Sequence, residues 1–138
     1  MPGYFRLSLD FLEEEINSLW KLGLKAVLLF AKIPNKLKDN KGTEALNENG
    51  LMQKGIKLIK SVNPEILVIS DVALDPYSSY GHDGIVLDNK ILNDETNKVL
   101  SKMALSHAKA GVDFVSPSDM MDGSCLLYTS PSPRDFQV

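Results

Sequence analysis

A chain of 138 residues is long enough for one small domain with its own core, and its 43% apolar and 24% charged content is ordinary for a globular protein. A formal net charge of −3 argues against nucleic acid or an anionic membrane as the main partner, because both ask for a basic face. The single cysteine, Cys125, excludes an intrachain disulfide and leaves no thiolate cluster for zinc, and the longest apolar run, residues 26–31, is too short to cross a bilayer. Arg6, Asp10, Glu13, Glu14 and Glu15 make the first residues unlike a signal peptide, so a cytoplasmic or plastid-type protein is expected.

Ser8 reads as the N-cap of a first helix, with Asp10 and the glutamates at the positive end of its dipole. Leu12, Ile16, Leu19 and Trp20 form its apolar stripe, and Gly23 reads as its C-cap. The unbroken run 25–31 suits a parallel strand buried on both faces. Residues 32–50 read as a loop, in which Lys36, Lys38 and Lys41 could hold an anion or simply face water. A second helix is predicted from Asn49 or Gly50 to Val62, burying Leu51, Gly55, Leu58, Ile59 and Val62, and stopped by Asn63-Pro64. The second strand is 65–70, followed by a long loop to about Leu92.

Asn93 reads as the N-cap of a third helix carrying Val99, Leu100, Met103, Ala104 and His107 on one stripe, closed by Gly111. His107 on that stripe reads as a packed histidine rather than a catalyst. Residues 113–116 are the third strand. Two helix-to-strand junctions echo one another, KLGLK at 21–25 and KAGVD at 109–113, a weak repeat with the period of an αβ unit. Helices alternating with buried strands predict an α/β fold with a parallel sheet. A doubly wound sheet and a (β/α)8 barrel both fit, but three strands cannot close a barrel of about 250 residues.

In either architecture the chemistry gathers where strands end. Asp71 stands at such an end, opening the polar stretch DVALDPYSSYGHDGIV at 71–86, and Ser116-Pro-Ser-Asp119 follows the third strand. Asp71 fits either an acid–base group or a turn cap. Asp75 and Asp83, with His82, fit a site for a hard cation, Mg²⁺ or Ca²⁺ rather than zinc; equally, Asp75-Pro76 and Asp83-Gly84 are turn dipeptides. The length of the segment and Gly81 and Gly84 also allow a mobile lid.

DVALDPYSSYGHDGIV closely resembles the metal-site and lid region of the delta-aminolevulinic acid dehydratase (porphobilinogen synthase) family. MPGYFRLSLD, LLFAKIPNKLKDNKGTEALNENGL and AGVDFVSPSDMMDG are similar to further stretches of the same family, so the resemblance covers about residues 1–123. It implies a partial (β/α)8 barrel, with residues 25–31, 65–71 and 113–117 as its second, third and fourth strands. It implies condensation of two 5-aminolevulinate molecules to porphobilinogen, in haem and tetrapyrrole biosynthesis, by a homo-octamer.

Asp71 and Ser118 then match active-site residues, while Asp75, Tyr77, Ser79, His82 and Asp83 fall in the substrate pocket or lid. Ala73, Asp75 and Asp83 stand where the zinc-using branch has cysteines. The cofactor implied is therefore magnesium or a monovalent cation, with Asp75 and Asp83 as candidate ligands and no zinc–cysteine site. The family's two Schiff-base lysines lie beyond the matching region, so the chain alone is expected to be inactive. Residues 124–138 are expected to form a tail foreign to the family. The alternative is a short non-catalytic relative that binds 5-aminolevulinate or the intact enzyme. Either way, exposed strand edges predict poor stability in isolation.

Overall fold

The computed structural model describes residues 2–124 and 126, so the expectations for Cys125 and for most of the tail lie outside the described residues. In chain order the elements are α1 (Leu9–Lys21), β1 (Ala26–Leu29), α2 (Leu51–Val62), β2 (Leu67–Val72), β3 (Ile85–Leu87), β4 (Lys90–Leu92), α3 (Asn93–Ala110) and β5 (Phe114–Pro117). β1, β2 and β5 form a parallel sheet in that order, and Ile69 lies opposite both Leu28 and Phe114.

The outer strands β1 and β5 are each delivered by a helix that stops on a glycine, whereas α2 stops at Asn63 ahead of β2. Gly23 has φ +95° and Gly111 φ +107°, left-handed values that a side chain rarely adopts. Their N–H groups reach back 2.9 Å to the Trp20 carbonyl and 3.0 Å to the Ala108 carbonyl. The KLGLK/KAGVD repeat is thus one helix stop used twice. The charge that follows each glycine has its own task. Lys25 stacks 3.7 Å from the Trp20 ring centre. The Asp113 carboxylate accepts from Lys60 Nζ and from the Val68 N–H, each at 2.8 Å, so it ties the end of α2 and the start of β2 to β5.

The helices pack on one face of the sheet. Val68 lies in a cluster with Ile16 of α1, Ile56 and Ile59 of α2 and Ala110, while Val72 joins Leu100 and Met103 of α3. The opposite face is open: Leu28 is 46% exposed, Leu67 42% and Phe114 57%. The expectation of strands buried on both faces is therefore corrected, because no helix among the described residues covers the second face. A doubly wound sheet would carry helices on both sides. The three strands make an open sheet, not a closed barrel.

Three local expectations also change. α2 buries Met52, Gln53 and Ile56 with Gly55 and Ile59, so its inner face is turned away from Leu51, which is exposed, and from Leu58, half-buried. Ser8 makes no side-chain cap, and its carbonyl accepts from Phe11 N–H at 3.2 Å instead. Asn93 is the first residue of α3 rather than its cap, and its side chain is engaged with the Asp122 backbone, accepting from its N–H at 2.8 Å.

Candidate active site

Asp71 lies one residue from the C-terminal end of β2, paired with Ser116 of β5. Past the end of β5 the Ser118 N–H donates to the Val72 carbonyl at 3.3 Å, which prolongs the pairing and lays Ser118 beside Asp71. The Ser118 hydroxyl donates to Asp71 Oδ1. Strand alternation puts Asp71 on the face opposite Ser70 and Val72, which point to the helices. Asp71 is nevertheless buried.

Burial pushes the Asp71 carboxyl above the ordinary range; the Ser118 hydrogen bond pulls it back, and the charges of Asp83 and Asp119 push it up again. Asp75 is raised by burial and by Asp83 and Asp71, against a smaller opposing pull from Lys38. Asp71, Asp75 and Asp83 thus share one electrostatic field, although Asp75 and Asp83 come from the loop. A carboxyl held toward its neutral form, with a hydroxyl fixing its orientation, can give and take a proton. The crowding of like charge also favours a cation or an ammonium group nearby.

The remaining candidates separate. Tyr77 is buried within the core cluster, and its hydroxyl has no partner among the described residues. Its phenol is raised by burial first and then by Asp71, Glu44 and Asp75. Ser79 is exposed, and its N–H donates to the Asp39 carbonyl at 3.1 Å. His82 is exposed and its Nδ1 accepts from the Gly84 N–H at 3.3 Å, a contact within its own turn.

The long loop holds more structure than its sequence suggested. Residues Asp75–Tyr77 make a 3-10 turn, and β3 and β4 form a hairpin through Asp88 and Asn89, both with positive φ, as a two-residue primed turn requires. Asn40 fastens the hairpin, donating to the Val86 carbonyl at 2.7 Å and accepting from its N–H at 2.9 Å. Thr96 accepts from the Ile85 N–H at 2.9 Å. Gly84 is needed where the chain passes Ile91, since a Cβ there would run into Ile91 Cγ2.

Among the described residues no group of three or more His, Cys, Asp or Glu side chains is placed to hold a metal ion. Asp75 and Asp83 are two carboxylates, too few for a self-contained hard-cation centre. Beside Asp75 opens a groove of about 350 Å³ lined by Arg6, Phe30, Lys32, Ile33 and Lys38 among others. Sequence reading did not assemble it, because its walls come from three separate stretches.

The family model for delta-aminolevulinic acid dehydratase matches residues 1–128. The chain is 54% identical over 123 residues to the delta-aminolevulinic acid dehydratase of Methanothermus sociabilis, covering 89% of this chain and 38% of that one. It is 53% identical over 125 residues to the chloroplastic enzyme of Glycine max, covering 89% and 30%. Among solved structures, delta-aminolevulinic acid dehydratase from Toxoplasma gondii ME49, in complex with the reaction product porphobilinogen, superposes with a TM-score of 0.90 at 45% identity, covering 93% of this chain and 37% of that one. The chain therefore spans at most 38% of the length of these relatives. It belongs to the delta-aminolevulinic acid dehydratase family.

Proposed function

We propose that this chain is the part of a porphobilinogen synthase that carries barrel strands two to four, and that the whole enzyme condenses two molecules of 5-aminolevulinate with loss of water. The observation that carries this is the Asp71–Ser118 pair at the C-terminal edge of the sheet, in a fold close to that of a relative bound to porphobilinogen. In this reading the open face and edges of the sheet are where the other strands close the barrel. The Schiff-base lysines come from those strands. Asp71 moves protons, Ser118 orients it, and Asp75 and Asp83 face the substrate's amino group.

The cation proposed is magnesium or a monovalent ion, held mainly by groups beyond those described here. Support comes from chemistry: position 73 is Ala, positions 75 and 83 are Asp, and the one cysteine, Cys125, stands far along the chain. A homo-octamer in the cytoplasm, or in a plastid as for the chloroplastic relative, completes the proposal. No helix among the described residues is long and apolar enough to cross a membrane.

The test is turnover. The gene product extended through the missing strands is expected to form porphobilinogen with magnesium and without zinc, and the 138-residue chain to form none. Turnover by the short chain, or none by the extended one, would overturn the proposal.

A further inference from the structure

The chain beyond β5 is fastened by the first residues of α3. Asn93 Oδ1 accepts from the Asp122 N–H at 2.8 Å, and Asn93 Nδ2 donates to the Asp122 carbonyl at 3.1 Å. Asn97, one turn further along the same helix face, donates to that carbonyl at 2.7 Å. A carbonyl oxygen has two lone pairs, so it takes both donors. An amide suits position 93, because it accepts and donates at once, which neither a carboxylate nor an ammonium can do. Asn97 is buried, so its side chain serves the backbone of a distant segment rather than water.

Asp122 closes the loop that carries Ser118. At the other end of that loop the Ser118 N–H reaches the Val72 carbonyl at 3.3 Å, longer than the usual range. Between the two anchors the Asp119 carboxylate accepts from the Met121 N–H at 2.9 Å. Met121 packs beside Gly84, where an added Cβ would lie 3.3 Å from its Cε. α3 also holds the acid-rich stretch, since Thr96 accepts from the Ile85 N–H at 2.9 Å. The start of α3 therefore sets the segment ending in Asp83 and the loop of Ser118 against one another. The bond from the Ser118 hydroxyl to Asp71 depends on that loop keeping its place.

We infer that Asn93 and Asn97 are positioning residues: through the Asp122 backbone they hold Ser118 on Asp71, and so set the rate of the step that Asp71 serves. They act through Ser118, not on the substrate. That the step belongs to porphobilinogen formation rests on the function proposed above; the anchoring of Ser118 does not.

Turnover by the extended gene product and amide exchange in the 138-residue chain test it together. Asn97→Ala should lower kcat by about tenfold at unchanged KM, since small misplacements of a reacting group cost that much or more. In a Ser118→Ala background the same substitution should lower kcat by less than about twofold, because the group through which it acts is gone. Asn93→Asp keeps the acceptor and adds an acid that a helix start favours, so it should fold and show a smaller loss of kcat; where Asn97→Ala does not fold, Asn93→Asp is read by the same criteria. In the 138-residue chain Asn97→Ala should speed exchange at the Ser118 amide by about tenfold, while the Asp113 amide, bonded to the Val68 carbonyl at 2.9 Å just before β5, is unchanged. A loss of kcat of equal size with and without the Ser118 hydroxyl, or equal acceleration at both amides, overturns the inference. If the extended wild type forms porphobilinogen and the variants match it, the positioning fails and the proposed function stands. If exchange shows Ser118 released but the extended wild type forms no porphobilinogen, the anchoring stands and the proposed function fails.

Discussion

The Ser70 hydroxyl lies 2.7 Å from His107 Nδ1, sealed between β2 and α3 with both residues fully buried. His107 Nε2 has no partner among the described residues, and burial pushes the imidazole down from 6.5 to about 4. The folded state thus holds a neutral histidine that the unfolded chain protonates more readily. The stability this conserves is fully present above pH 6.5 and is lost as pH falls from there toward 4. The loss should reach on the order of 3 kcal/mol. Urea unfolding across that window should show it, and His107→Gln should flatten the slope. An unchanged slope in the variant would contradict the assignment.

Asp113 is a depressed carboxylate, held down first by the Lys60 hydrogen bond and then by the Val68 N–H. Its contribution is present above the ordinary carboxylate range and is lost as pH falls below it, a window separate from that of His107. Asp113→Ala should destabilise by about 2 kcal/mol at neutral pH, as for a hydrogen bond to a charged group. Chemical denaturation measures it, and a change near zero would mean that Lys60 is satisfied by the Pro64 and Ile66 carbonyls alone.

Asn40 holds Val86 by two hydrogen bonds across 46 residues of chain. Asn40→Ala should speed amide exchange at Val86 by about tenfold, equivalent to roughly 1.4 kcal/mol, while Ile85, held by Thr96, changes less. Equal acceleration at both amides would mean that the hairpin opens as a unit.

The open sheet face should make the chain self-associate. Leu28 and Phe114 flank Ile69 on that face, and among the described residues both outer strands have an edge with no strand paired to it. Sedimentation velocity should show association that grows with concentration and falls in Leu28→Lys. A monomer at every concentration would contradict this.

Much of the framework was legible because its signals are long or repeated. The stripes of α1 and α3 and the apolar runs of the parallel strands carry their own period, and Gly23 and Gly111 mark their stops. Asp71 and Ser118 could be placed at strand ends from the same pattern. The β3–β4 hairpin was not legible because three-residue strands are too short to show a period, although Asp88-Asn89 between Ile85-Val86-Leu87 and Ile91-Leu92 was a usable turn signal. The inner face of α2 was misread because Leu51 and Met52 compete for the core, and packing against Ile16 decides for Met52. Burial of Tyr77, the Lys60–Asp113 tie and the groove of Arg6, Lys32 and Lys38 depend on contacts between distant stretches, which no local pattern records.

Asp71 should weigh against stability while serving chemistry. Its carboxyl is raised, so the cost of ionising it in the fold is absent below the ordinary carboxylate range and fully present above its raised value. Asp71→Asn should therefore melt higher at neutral pH while keeping an acceptor for Ser118.

The central claim is that the Asp71–Ser118 edge is the reacting edge of a porphobilinogen synthase. Its most direct test is porphobilinogen formation by the extended gene product and its Asp71→Asn variant, assayed side by side. The account predicts turnover in the first and a loss of at least about a hundredfold in kcat in the second, in the range expected for a general acid–base group. Undiminished turnover in the variant would contradict it.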